Sequence, residues 1–159
     1  MVFEYGQYKI DVDVEKTKMF YAAAPVVSAG CTCNNCKNYE QAVADLPQVV
    51  KSFFTELGVD MKKVCEVYVN WKNPDGTLHY GGFYHVCGVR LQGKSAWVAV
   101  DEYTSRWDEG GAFAIIDTFH VSFREKCDLL EDEFPIPALQ IDMFANIPWV
   151  LPEANEEFG

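Results

Sequence analysis

Two strand-like segments, residues 65–72 and 77–91, are separated by little more than Asn73-Pro74-Asp75-Gly76. A parallel return needs a crossover of about a dozen residues or more, so this link forces an antiparallel pair. Pro74 presets φ at the second turn position and Gly76 relaxes the end. In the first segment Cys65, Val67, Val69 and Trp71 alternate with Glu66, Tyr68, Asn70 and Lys72, the period of a half-buried strand. Gly81-Gly82 in the second predicts a bulge or bend.

Other strands follow the same rule. Ile10, Val12 and Val14 alternate with Lys9, Asp11 and Asp13. Gln92-Gly93 turns into a strand at 96–100, and Asp108-Glu109-Gly110-Gly111 is a loop. Phe113, Ile115, Asp117, Phe119, Val121 and Phe123 then read as one face of a single strand. A last strand spans 138–146, with Leu139, Ile141 and Met143 alternating with Gln140, Asp142 and Phe144.

Helices come mainly before these strands. Residues 15–24 are helix formers that stop at Pro25, and 25–32 has the small residues of a loop. Asn34 or Asn35 can cap a helix running to about Ala44. Beyond Pro47, the residues Val50, Phe53, Phe54 and Leu57 recur at i, i+3, i+4 and i+7, the clearest amphipathic helix, with Gly58 at its end. Residues 125–134 read as a short helix, with Cys127, Leu130 and Phe134 on one side and Pro135 as its stop. Helices first, then strands joined by tight turns, predict an α+β fold: N-terminal helices packed on a mostly antiparallel sheet. At 159 residues the chain fits one domain, 1–159, with 153–159 a frayed tail.

The net charge of −11 is confined to residues 101–159, where fourteen acids face three bases; residues 1–100 carry ten of each. Hydrophobic and aromatic contents of 49% and 14% exclude a disordered acidic polymer. The charge disfavours nucleic acid and anionic membrane as partners, although Lys16, Lys18, Lys62 and Lys63 form local basic clusters in the neutral part. An acidic C-terminal third is either a solvated face or a surface that steers a basic protein partner, with Glu131, Asp132 and Glu133 its densest run. No signal-peptide pattern or long apolar run is visible, which predicts a cytoplasmic protein with no membrane association. There the six cysteines are reduced.

Cys31-Thr32-Cys33-Asn34-Asn35-Cys36 is the one dense chemical feature. Cys33-x2-Cys36 has the spacing at which two thiolates fold around one tetrahedral ion, and Cys31 adds a third candidate ligand for zinc. A closed site needs a fourth; Cys65, His79, His85, Cys87, His120 and Cys127 are all distant in sequence. Two other readings stand beside zinc. A dithiol at a helix start is a redox layout, though such motifs follow a strand and here a loop precedes. Small apolar thiols also simply pack a tight turn.

His85 shares a strand face with Phe83, Cys87, Val89 and Leu91, which suits a core histidine. Its catalytic alternative is a Cys–His couple, which needs a thiol from elsewhere such as Cys65 across the hairpin. His120 falls opposite the apolar face and is expected exposed; His79 lies near a turn. Tyr80, Phe83 and Tyr84 are expected to cluster with Trp71, and Trp97, Tyr103 and Trp107 follow. Most such rings are core, and some can rim an interface.

Four phrases, in order, resemble a family of small bacterial proteins, mainly Gram-positive, with no assigned activity. They are Cys31-Thr32-Cys33-Asn34-Asn35-Cys36-Lys37-Asn38-Tyr39, Phe53-Phe54-Thr55-Glu56-Leu57-Gly58-Val59-Asp60, Tyr80-Gly81-Gly82-Phe83-Tyr84-His85 and Ile147-Pro148-Trp149-Val150-Leu151. The resemblance runs from about Tyr5 to Leu151 and implies a bacterial, cytoplasmic, single-domain protein; it assigns no catalytic or binding residue. Three functions are therefore expected in order: a non-enzymatic interaction domain with an acidic, aromatic-bearing surface, a zinc-stabilised domain, and a Cys–His enzyme. Exposed sheet edges can also pair into a homodimer.

Overall fold

The computed structural model describes residues 1–155 and 157. The expectation of a frayed tail lies, at positions 156, 158 and 159, outside the described residues. Strand β1 (Val2–Tyr5) turns through Gly6 into β2 (Tyr8–Val12). Asp13 caps α1 (Val14–Ala23) by accepting the Lys16 N–H at 3.0 Å. A single helical turn, α2 (Val27–Gly30), stands where the sequence predicted only loop. Next come α3 (Asn34–Ala42) and α4 (Gln48–Glu56). Gly58 ends α4 at φ +85°, and a Cβ there would sit 2.7 Å from the Val14 carbonyl oxygen, so both backbone and space demand glycine.

The strands are β3 (Glu66–Lys72), β4 (Leu78–Gln92), β5 (Trp97–Ala99), β6 (Ser105–Trp107), β7 (Phe113–Ile116), β8 (Phe119–Arg124) and β9 (Ala138–Ile147). Among the described residues seven of them form one sheet in the order β1-β2-β4-β9-β8-β7, with β3 also on β4, and β5-β6 is a separate hairpin. All pairings are antiparallel. The fold is α+β. Strand β4 is its spine: β3 pairs with its first half and β2 with its second, while β9 runs along the opposite edge.

One sheet face meets the helices. Tyr80, Tyr84 and Val86 of β4 are buried with Tyr39 of α3 and Val50, Phe54 and Leu57 around α4. Full burial of each such large apolar group is worth about 1.5–3 kcal/mol. The tyrosine hydroxyls stay paired inside: Tyr84 bonds the Tyr39 hydroxyl and donates to the Met61 carbonyl at 2.8 Å.

Four local expectations change. Residues 113–123 are not one strand but the β7–β8 hairpin, turning at Asp117-Thr118. Residues 125–134 form turns rather than a helix, because the Asp128 N–H is taken by the Gln140 side chain at 2.7 Å and Leu129 adopts φ +49°. The irregularity near Gly81-Gly82 sits on the facing strand, where the register shifts between Val69 and Trp71. It puts Trp71 opposite His79, stacked at 4.0 Å, away from the Tyr80 and Tyr84 face. Gly81 instead admits the Tyr68 ring; a Cβ there would approach it to 2.5 Å. Gln140 and Asp142 of β9 are buried, because the 125–135 segment covers that face.

Candidate metal centre

The chain brings its three clustered cysteines together at the entry to α3. Cys33, not an asparagine, is the N-cap: its sulfur accepts the Cys36 N–H at 3.4 Å. Cys31 follows the single turn of α2 as its C-cap, and the Cys31 and Cys33 sulfurs stand 3.2 Å apart. All three sulfurs lie within 4.8 Å of one another. Zinc–sulfur bonds of about 2.3 Å in a tetrahedron place neighbouring sulfurs about 3.8 Å apart, so only small side-chain rotations separate this trio from a ligand set. Cys36 is buried, Cys31 half-buried and Cys33 exposed. Hydrogen bonds from Cys36 and then Cys33 pull the Cys31 thiol below its ordinary value, while burial first, and the neighbouring sulfurs next, push Cys36 up.

Supporting residues fix the α3 turn that carries these sulfurs. The Tyr80 hydroxyl donates to the Asn35 carbonyl at 2.7 Å. Asn38, fully buried, donates to the Pro148 carbonyl at 3.0 Å and to the Tyr80 hydroxyl at 3.3 Å, and accepts the Val150 N–H at 2.7 Å. Asn155 donates to the Asn35 side chain at 2.7 Å. Thus the cysteine phrase, the Tyr80 strand and the Pro148-Trp149-Val150 segment meet at one place. The one sequence signal for Asn38 as a support is an amide beside Tyr39 and Ala42 on the buried side of α3.

No fourth Cys, His, Asp or Glu joins the trio among the described residues. The distant candidates stand elsewhere. His79 stacks on Trp71 and Phe144, and burial lowers its pKa. His120 is not exposed as expected: it meets Glu109 at 2.8 Å and the Asp117 carbonyl at 2.9 Å, with its side chain 15% accessible. Cys87 is buried and Cys127 half-buried, both with raised pKa through burial.

Cys65 and His85 both line one cleft of about 1130 Å³. Yet the Cys65 thiol is directed to the Leu129 carbonyl at 3.7 Å. Burial, followed by Glu131, Glu66 and Asp128, pushes it up to about 11, so it is a poor thiolate source near neutral pH. His85 is committed to a buried network. The Gln140 amide nitrogen donates to Asp142 at 2.7 Å, which turns its oxygen toward His85 Nε2 at 3.0 Å. Asp142 in turn accepts from Arg124 Nε at 2.7 Å. Its ring packs on Phe83 and Phe134, as a core histidine would.

Glu131, Asp132 and Glu133 are exposed, on a turn closed by the Phe134 N–H donating to the Glu131 carbonyl at 3.0 Å. Phe134 anchors this turn by packing against Phe20 of α1 at 4.5 Å. No helix among the described residues is long and apolar enough to cross a membrane. No family model, curated protein or solved structure matches the chain.

Proposed function

We propose that this protein is a metal-binding domain that holds one zinc ion on the thiolates of Cys31, Cys33 and Cys36. The observation that carries this reading is the convergence of three free thiols within 4.8 Å at a helix entry. Soft thiolates select zinc over the hard cations, and the Cys36 N–H directed at Cys33 offsets charge on a coordinated sulfur. The redox and packing readings need only two of these thiols or none in register; the zinc reading uses all three. The bound ion ties α2 to α3 and adds stability by binding the folded chain alone. The test is metal analysis of protein purified without chelator. About one equivalent of zinc is expected, lost in the Cys31→Ser/Cys36→Ser double variant; less than about 0.1 equivalent overturns the reading.

A second reading, of an interaction surface, is supported by the 129–136 turn. Its acids Glu131, Asp132 and Glu133 lie between Leu129 and Ile136, which are 68% and 77% accessible. Apolar groups this exposed within an acidic run suit a basic partner protein. Neutralising the three acids and comparing captured partners at low salt tests it; an unchanged set removes the acidic surface from the account.

A further inference from the structure

The three-sulfur trio leaves a tetrahedral ion one position short, and two of its members border a cleft. Cys31 and Cys36 belong to the wall of that cleft of about 1130 Å³. Building on the zinc reading above, we infer that the fourth coordination position opens into this cleft and is taken by the thiolate of a low-molecular-weight thiol.

Three properties of the cleft select that ligand. The metal end is soft: three thiolates already surround the ion, and a fourth sulfur completes the tetrahedral set that zinc favours. The walls are largely apolar, with Met19 and Phe20 of α1, Val27 of α2 and Val67 of β3, so the ligand carries a small apolar body. The charge balance favours a ligand that enters neutral. Three thiolates on a dication leave one net negative charge, and the wall sets Glu66, Glu131 and Glu133 against Lys16 and Lys63, so the ligand enters as the uncharged thiol and loses its proton only on the metal. Lys63 is held there by its hydrogen bond to the Tyr21 carbonyl at 2.5 Å. On binding, the thiol releases its proton to solvent, its sulfur lone pair forms the metal–sulfur bond, and the water at that position leaves. No oxidation or reduction is involved.

The test is titration of the cobalt(II)-loaded protein with 2-mercaptoethanol, with ethylene glycol as the oxygen control. The expected result is a saturable rise in sulfur-to-cobalt charge transfer and a shift of the visible bands with cobalt retained on the protein. Ethylene glycol should produce neither. Ala23→Trp, at an exposed position on the cleft wall, should keep the cobalt spectrum without thiol and weaken thiol binding by about tenfold or more. A protein that takes up cobalt but whose spectrum ignores 2-mercaptoethanol overturns the open position and leaves the zinc reading standing. A protein that takes up neither zinc nor cobalt overturns both. Equal thiol affinity in Ala23→Trp overturns the role of the cleft.

Discussion

Replacing Asn38 by leucine keeps the side-chain volume close to native and deletes three hydrogen bonds at once. They run to Pro148, Val150 and Tyr80. Each is worth about 1 kcal/mol net, and a backbone group left without a partner costs more than the bond alone. The contacts to Pro148 and Val150 are only partly buried, so water recovers some of that loss. The expected destabilisation is about 2–4 kcal/mol. For a chain of 159 residues this lowers Tm by about 6–12 °C. Urea unfolding followed by tryptophan fluorescence measures it, with an unchanged m-value confirming that only stability moved. A loss below about 1 kcal/mol would refute the reasoning. It would mean that apolar contacts of Trp149 and Leu151, not the amide, hold the C-terminal segment on α3. Asn38→Asp sharpens the test. Its carboxylate would face the Pro148 carbonyl, so folding raises its pKa. That variant should be most stable at low pH and lose stability as pH rises through the raised value.

The Cys65 thiol, pushed up to about 11, should alkylate slowly at neutral pH and speed up about tenfold per pH unit; a plateau near pH 8 would contradict its burial. Gly81→Ala forces a Cβ into the Tyr68 and Phe144 rings and should cost about 1–3 kcal/mol by thermal melt, whereas a neutral result would show that the rings can part freely. Trp71→Ala uncovers His79, whose pKa burial lowers, so its NMR titration should move up toward the ordinary imidazole value. The neutral ring is favoured in the native fold, so its contribution to stability is full above the unfolded value and is lost as pH falls through the lowered folded value.

The antiparallel architecture was legible because the Asn73–Gly76 link left no other choice, and α4 because its apolar period is clean. The β7–β8 turn was hidden, since Asp117-Thr118 interrupts a regular alternation without a Gly or Pro to mark it. Residues 125–134 carry helix-compatible residues, but the Gln140 side chain, supplied from β9, competes for the Asp128 N–H. No local rule anticipates a partner twelve residues away. At the candidate site the ligand residue types were legible. Their capping geometry was not: a sulfur took the role that propensity gives to asparagine. The cleft was invisible because α1, α2, β3 and the Glu131 turn reach it from distant parts of the chain.

Strand β4 has a consequence for how the molecule opens. Its 15 residues are paired from end to end: β3 and β9 flank Leu78–Phe83, β9 continues alone to Cys87, and β2 takes over from Gly88 to Gln92. The amides of Leu78–Phe83, enclosed between β3 and β9, cannot exchange hydrogen with solvent unless the sheet itself parts. They should therefore exchange only through global unfolding. The β5–β6 hairpin, outside the main sheet and with Val100 and Tyr103 at 61% and 89% accessibility, can open alone and exchange early. One continuous strand thereby couples the β1–β2 edge to the Tyr80 support beneath the cysteine turn, so that the two ends of the sheet melt as a single cooperative unit.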